Sequence, residues 1–213
     1  MPAKNSIKEY SPEGYYHVYN RGVAKQKVFL DEQDYKVFFS YLKTYLSPPD
    51  KSNESFPSRK LKNYFELVKL LSYCLMPNHF HLFAWQKEID SLTSFMRALT
   101  IKYSMYFNRK YQRVGPVFQG KFKAVTIANE QQFIFLSKYI HRNPLTSGSE
   151  LEVYPYSSYR NYLGKIHQTW LDTAEILSYF SKVNLANSYR SFVEELDERD
   201  LPVIKEVMLD FEF

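Results

Sequence analysis

The chain has 213 residues, of which 45% are hydrophobic and 18% aromatic, and its formal net charge is +5. This length supports one main domain with an appendage and is short for two domains that each bury a core. The sequence contains no run of about 18 apolar residues and does not begin like a signal peptide, so we expect a soluble, cytoplasmic protein with no membrane contact. The single cysteine, Cys74, excludes an intramolecular disulfide and a cysteine-based zinc site.

The charge is divided unevenly along the chain. Residues 165–213 contain five Lys or Arg and ten Asp or Glu, whereas the residues before them contain 23 basic and 13 acidic side chains. A basic body with many tyrosines and phenylalanines is typical of a surface that binds phosphates and stacks on bases. Basic surfaces also occur without nucleic acid, so charge alone does not assign this function. We divide the chain into a domain over residues 1–164 and an acidic, mostly helical extension over 165–213.

The first part of the chain predicts three strands and one helix. Residues 14–22 alternate like a strand, and residues 31–46 begin with acidic side chains and follow helical spacing. Residues 47–63, rich in proline, serine and charge, are predicted to be a loop insertion. Residues 65–76 and 79–86 are predicted to be strands that a Pro-Asn turn joins into an antiparallel hairpin.

The next part predicts two helices and a further strand. Residues 91–111 carry an apolar helical stripe, and residues 113–127 hold a Gly-Pro turn followed by an alternating strand. Residues 129–144 are predicted to be a helix that Pro144 closes. The order β-α-β-β-α-β, with an added helix after it, predicts an α+β fold with a ferredoxin-like antiparallel sheet.

The segment MPNHFHLF, residues 76–83, places two histidines on one predicted strand. Because side chains alternate along a strand, His79 and His81 project from one face, about 7 Å apart, while Phe80 projects from the other. Two imidazoles at this spacing can bind one metal ion. A pair of exposed or hydrogen-bonded histidines is the commoner explanation of so short a motif, because no third ligand is adjacent.

The predicted helix over 129–144 carries groups that could complete such a site. Tyr139 and Asn143 are four residues apart, so they share a face of this helix beside its apolar stripe. The asparagine oxygen could be a third ligand, and the phenol would lie beside the metal. His141 is two positions from Tyr139 and points to nearly the opposite side, so we exclude it as a ligand.

Five segments of the sequence occur in the order seen in a known superfamily: YYHVYNRG, LSYCLMPNHFHLF, GPVFQGKFK, YIHRNPLTSG and YPYSSYRNYLG. Over about residues 14–164 the chain resembles the single-tyrosine (Y1) transposases of the HUH superfamily, and most closely the REP-associated tyrosine transposases, relatives of the IS200/IS605-like enzymes. The loop at 47–63 and the acidic tail depart from this pattern, and the resemblance assigns neither of them a role.

The resemblance implies roles for four residues. Tyr139 would be the nucleophile, and the metal ligands would be His79, His81 and Asn143. It also implies Mg²⁺ or Mn²⁺, a 5′-phosphotyrosine intermediate, and single-stranded DNA with a hairpin as the partner. The related enzymes include dimers that exchange tyrosine helices and monomers, so a monomer and a homodimer are both open.

Five basic residues and no acid lie between positions 109 and 123, and we predict that they contact DNA: Arg109, Lys110, Arg113, Lys121 and Lys123. Tyr111 lies near this basic turn and could stack on a base. Phe118 and Phe122, by contrast, are predicted to be core residues, as are Tyr103 and Tyr106. His17 is predicted to be an ordinary histidine of the sheet.

The leading hypothesis is therefore a metal-dependent enzyme that nicks and rejoins DNA, with three alternatives. They are a hairpin-binding module that no longer cuts, a hydrolase of small phosphates, and a replication-initiating nicking enzyme. The intact site residues argue against the first, and the basic body argues against the second. For the tail, the segment EELDERD could lie across the basic surface and restrain activity, although such charge runs more often face water on a packed helix.

Overall fold

The computed structural model describes residues 10–49, 62–181 and 183–195. Within these ranges, four strands form one sheet: β1 (Tyr15–Arg21), β2 (Val68–Met76), β3 (His79–Gln86) and β4 (Lys123–Thr126). Their spatial order is β2-β3-β1-β4, and all neighbours are antiparallel. This is the sheet that a ferredoxin-like β-α-β-β-α-β chain forms, so the predicted α+β fold is confirmed.

Two long helices cover one face of the sheet. They are α1 (Glu32–Leu46) and α2 (Ser91–Lys110), and they pack on a strand face that includes Val18, Phe80 and Leu82. Burying a side chain of this size contributes about 1.5–3 kcal/mol. Helix α1 begins where the sequence predicts, because Asp31 and Asp34 form a reciprocal capping box at its N-terminus.

The added helix, α3 (Glu130–Arg142), covers the opposite face and runs into a 3-10 turn over Asn143–Ser147. The Asn129 side chain accepts the Gln132 N–H and caps the start of α3. The apolar stripe of α3 packs on this second face of the sheet in one cluster: Phe133, Leu136 and Ile140 from the helix, with Cys74 and Phe83 from the strands.

Two strands are shorter than predicted. β2 begins at Val68 because the three residues before it form a turn, in which the Tyr64 carbonyl accepts the N–H groups of Leu67 and Val68. The predicted strand within 113–127 has only four residues. Its approach is bent by Gly115 and Gly120, which have φ angles of 95° and 69°.

The described part of the C-terminal extension contains two helices, with turns and irregular segments between and around them. Helix α4 (Tyr159–Tyr162) precedes the extension, and the extension contains α5 (Ala174–Leu177) and α6 (Leu185–Glu194). Residues 196–200 of the EELDERD segment and residues 50–61 of the predicted insertion lie outside the described residues. Across the described ranges, no helix combines the length and the apolar character that crossing a membrane requires.

Candidate active site

The two histidines of MPNHFHLF lie at the start of β3 and project from the face that α3 covers. The register places His79 opposite Arg21 and His81 opposite Tyr19, while Phe80 is buried on the other face. The two imidazole centroids are 5.0 Å apart and their planes are nearly perpendicular, at 85°. Strand alternation thus brings both rings to one place.

Helix α3 brings Tyr139 and Asn143 to the same place. The Tyr139 ring centroid is 5.4 Å from that of His81. One turn later, the Asn143 side chain hydrogen-bonds both His79 and the Tyr139 phenol, and its Nδ2 also donates to the Tyr139 carbonyl at 3.0 Å. The four residues that the sequence singled out therefore meet in one cluster, in which His81 and Asn143 are buried and His79 and Tyr139 are partly buried.

Burial sets the charge state of this cluster. It lowers the pKa of His79 to about 4, although the hydrogen bond with Asn143 acts in the other direction, and it holds the pKa of His81 well below 6.5. Burial also raises the pKa of Tyr139 to about 12. At neutral pH the imidazoles are uncharged and have lone pairs for a metal, while the phenol keeps its proton.

Two further residues orient the histidine rings: Asn78, which the sequence did not single out, and His17, which the sequence predicted to be an ordinary histidine of the sheet. The Nδ1 atom of His79 is 2.6 Å from Oδ1 of Asn78, an amide oxygen that only accepts, so Nδ1 carries the proton and the lone pair is on Nε2. The Nδ1 atom of His81 is 2.9 Å from Nε2 of His17, and both rings are buried. The contact of His17 with His81 follows only from the register between β1 and β3, because the two residues are 64 positions apart in the sequence.

The donor set fits a hard or borderline divalent ion. Over the ranges that the structure describes, no group of three or more His, Cys, Asp or Glu side chains is placed to hold a metal. A metal at this site would instead have two neutral imidazoles, the amide oxygen of Asn143, and water. Such a mixed set of nitrogen and oxygen donors can hold Mn²⁺ or Mg²⁺, and two imidazoles also accept Zn²⁺ or Ni²⁺.

Lys110, one of the five predicted DNA contacts, belongs to an ion-pair network between α1 and α2. Its Nζ atom is 2.7 Å from both carboxylate oxygens of Asp31 and 2.8 Å from Oδ1 of the fully buried Asp34. Tyr111 donates to the same Asp34 at 2.8 Å and packs on the Phe107 ring. Both side chains therefore stabilise the junction of the two helices.

The other basic residues have different surroundings. Arg109 and Lys121 are exposed, and Arg113 donates to Gln26 at 3.3 Å. Lys123 is the member of the group nearest the histidines, because it pairs with Tyr19 across β1 and β4 and its Nζ lies 5.6 Å from the Tyr19 ring. Arg21, opposite His79 in the register, is a cation at this site that sequence reasoning did not select.

Part of the chain matches a known protein family. Residues 54–143 match the family described as Transposase IS200 like, and this stretch contains His79, His81, Tyr139 and Asn143. No curated protein matches the chain.

One solved structure supports the fold, and a second aligns more weakly. The structure of a REP-associated tyrosine transposase bound to a REP hairpin is similar with a TM-score of 0.53 and 15% identity, over 79% of this chain and 93% of that one. A candidate transposase from Deinococcus radiodurans aligns with a TM-score of 0.38 and 14% identity, over 67% of this chain and 97% of that one. Residues 54–143, which include the candidate site, thus match the IS200-like transposase family, and the REP-associated tyrosine transposase is similar to this chain in fold.

Proposed function

We propose that this protein is a transposase that nicks and rejoins single-stranded DNA through a covalent phosphotyrosine on Tyr139, with a divalent metal ion held by His79, His81 and Asn143. One observation carries the proposal. The partly buried phenol of Tyr139 packs 5.4 Å, between ring centroids, from the imidazole of His81 and shares the Asn143 side chain with His79. This proximity supports a role for Tyr139 as the nucleophile beside the proposed ligands.

In the first step the Tyr139 oxygen attacks phosphorus and the bond from phosphorus to the 3′ oxygen breaks. The leaving strand takes up a proton and becomes a free 3′-hydroxyl, while the phenolic proton passes to water. The 5′-phosphotyrosine preserves the free energy of the broken ester. The 3′-hydroxyl of a second strand can therefore attack it, and the phenol leaves and regains its proton without any nucleotide cofactor.

The chain contributes position, and the metal contributes charge. When bound, a divalent ion polarises a nonbridging phosphate oxygen and favours the phenolate. Help of this kind is needed because the pKa of Tyr139 is raised to about 12. The packing of α3 on the sheet holds the phenol beside the histidines, so that the attacking oxygen and the phosphate meet in a fixed geometry.

We propose that the DNA backbone crosses the sheet edge where Arg21 and Lys123 flank the histidines, and extends toward Lys121, Arg109 and Arg113. Cations at such positions neutralise phosphates. Hairpin-bearing single strands are the substrate class, which is supported by the similar transposase whose structure contains a REP hairpin. We give Lys110 a structural role, because carboxylates already surround its ammonium group.

The test is to incubate the protein with end-labelled single-stranded hairpin DNA and Mn²⁺, and to identify the adduct by denaturing electrophoresis and peptide mass spectrometry. We expect an adduct on Tyr139 that is lost in Tyr139→Phe and in His79→Ala. Tyr179→Phe, at an exposed tyrosine, is the matched control and retains the adduct. Tight hairpin binding by the wild-type protein without any adduct would overturn the cleavage proposal in favour of a binding module.

A further inference from the structure

His141 lies on α3, on the side of the helix opposite the proposed nucleophile Tyr139. It follows Tyr139 by two residues, so its side chain leaves the helix about 200° away from the phenol. The ring is fully buried and contacts three tyrosine rings, those of Tyr159, Tyr162 and Tyr189, at centroid distances of 4.8 to 5.8 Å. Both of its nitrogens have hydrogen-bond partners, at 2.8 and 2.7 Å.

The partners on the Nδ1 side determine the direction of the hydrogen bonds. The Ser137 hydroxyl donates to the Ile134 carbonyl at 2.7 Å, so Ser137 accepts the proton of the Tyr189 hydroxyl, 3.0 Å away. Tyr189 has then used its only proton. The Nδ1 atom of His141 must therefore donate to the Tyr189 oxygen, at 2.8 Å.

The partners on the Nε2 side connect the ring to the sheet. Nε2 of His141 lies 2.7 Å from the Ser158 hydroxyl oxygen. That oxygen accepts the backbone N–H of Tyr73 in β2 at 2.9 Å and lies 3.2 Å from the Tyr73 carbonyl oxygen, to which the hydroxyl can donate. One chain of hydrogen bonds thus runs from the sheet backbone, through the His141 ring and α6, to the backbone of α3.

This chain of hydrogen bonds restrains the rotation of α3 about its axis. Its sheet end, Tyr73, is adjacent to Cys74, which pairs with His81 across β2 and β3. On the α6 side, two cations of α3 hold the final carbonyls of α6. Arg142 donates to Val193 and Glu194 at 2.6 and 3.1 Å, and Lys138 donates to Glu195 at 2.7 Å.

We propose that His141 is a positioning residue for Tyr139, and that α6 belongs to the catalytic unit because it anchors the nucleophile helix through this hydrogen-bond chain. The proposal rests on the proposed function of Tyr139. The physical reason is geometric, since a turn of α3 about its axis moves the phenol relative to the histidines. A misplacement of about 1 Å can cost about 100-fold in rate.

The experiment compares two conservative changes in the same buried cluster. Tyr189→Phe removes the hydroxyl that joins His141 to Ser137. Tyr162→Phe is the matched control, because it removes an equally buried hydroxyl that donates to the Leu71 carbonyl at 2.8 Å and lies outside the chain. For each protein one measures the single-turnover rate of adduct formation, the dissociation constant for the hairpin, the melting temperature, and amide exchange over residues 130–143.

We expect Tyr189→Phe to slow adduct formation at least tenfold and to increase amide exchange in α3, with hairpin affinity within about twofold of wild type. Tyr162→Phe should lower the melting temperature comparably and leave both the rate and the exchange near wild type. His141→Gln, which keeps a polar group able to hydrogen-bond Ser158, should retain more activity than His141→Leu. Equal rates in Tyr189→Phe and Tyr162→Phe would overturn the proposal.

Failure of the proposed function gives a different result. A wild-type protein that forms no adduct overturns the covalent mechanism. The comparison of amide exchange then tests only whether α6 anchors α3. Faster exchange of α3 in Tyr189→Phe than in Tyr162→Phe supports the anchor, and equal exchange overturns it.

Discussion

The Nε2 atom of His17 lies 2.9 Å from Nδ1 of His81, and the two buried rings stack with an interplanar angle of 28°. This contact connects the central strand of the sheet to a candidate metal ligand. A hydrogen bond at one ring nitrogen orients the other toward a metal and sets its tautomer, so His17 has the position of an outer-shell partner.

Replacing His17 should therefore weaken metal binding while leaving the fold intact. We expect His17→Ala to lower the affinity for Mn²⁺ about 10- to 100-fold, measured by titration calorimetry in the absence of DNA. The control is His167→Ala, because His167 is exposed. Unchanged Mn²⁺ affinity in His17→Ala would show that packing alone orients His81.

Two substitutions test whether the amide oxygen of Asn143 is a metal ligand. Asn143→Asp keeps an oxygen ligand and adds a negative charge, which divalent ions favour, so Mn²⁺ affinity should be retained or increased. Asn143→Leu keeps the approximate volume and removes the oxygen, and it should weaken Mn²⁺ binding at least tenfold. Equal affinities in the two variants would exclude Asn143 as a ligand.

Lys110 and Lys123 should respond differently to loss of their charge. Lys110→Met leaves the buried Asp34 carboxylate without its cation, which costs about 3–5 kcal/mol in such pairs, and we expect the lower end because Tyr106 and Tyr111 still donate to it. Hairpin affinity of the folded variant should be unchanged. Denaturant unfolding and a DNA-binding isotherm measure the two effects.

Lys123→Met should show the reverse behaviour. Its side chain lies beside Tyr19 on the histidine face, so we expect little change in unfolding free energy and weaker hairpin binding. The slope of log affinity against log salt should fall by about 1 for each lost phosphate contact, and Arg21→Gln should do the same. A salt slope equal to that of wild type would exclude these contacts.

The stability of the α1–α2 junction should depend on acid. Burial by itself raises the pKa of Asp34, but hydrogen bonds outweigh it and the net pKa lies below 3.8; the donors are Lys110, the Leu30 N–H, Tyr111 and Tyr106. A carboxyl whose folded pKa is lowered stabilises the fold above its unfolded pKa, and this stabilisation is lost as the pH falls toward the folded pKa. We expect the wild type to have a larger free energy of unfolding than Asp34→Asn at pH 6 and to lose this difference below about pH 4. Urea unfolding between pH 6 and pH 3 measures it. A difference in unfolding free energy that does not change with pH would contradict the lowered pKa of Asp34.

The local periodicity of this sequence was enough to place most elements. The helical spacing before Leu46 and the alternation around His79 reflect which face each residue buries, and burial is the main source of the pattern. The sheet order followed from the order of the elements. Local patterns did not show the early turn that delays β2 to Val68, because that turn depends on the Tyr64 carbonyl.

The sequence by itself determined which side chains share a face: His79 with His81 on a strand, and Tyr139 with Asn143 on a helix. These relations follow from the fixed geometry of strands and helices. Only the tertiary structure decided that the two faces meet, that His17 contacts His81, and that Lys110 serves Asp34. The physical reason is distance along the chain, since contacts between residues about 60 or more positions apart depend on strand register and helix docking, which no local pattern records.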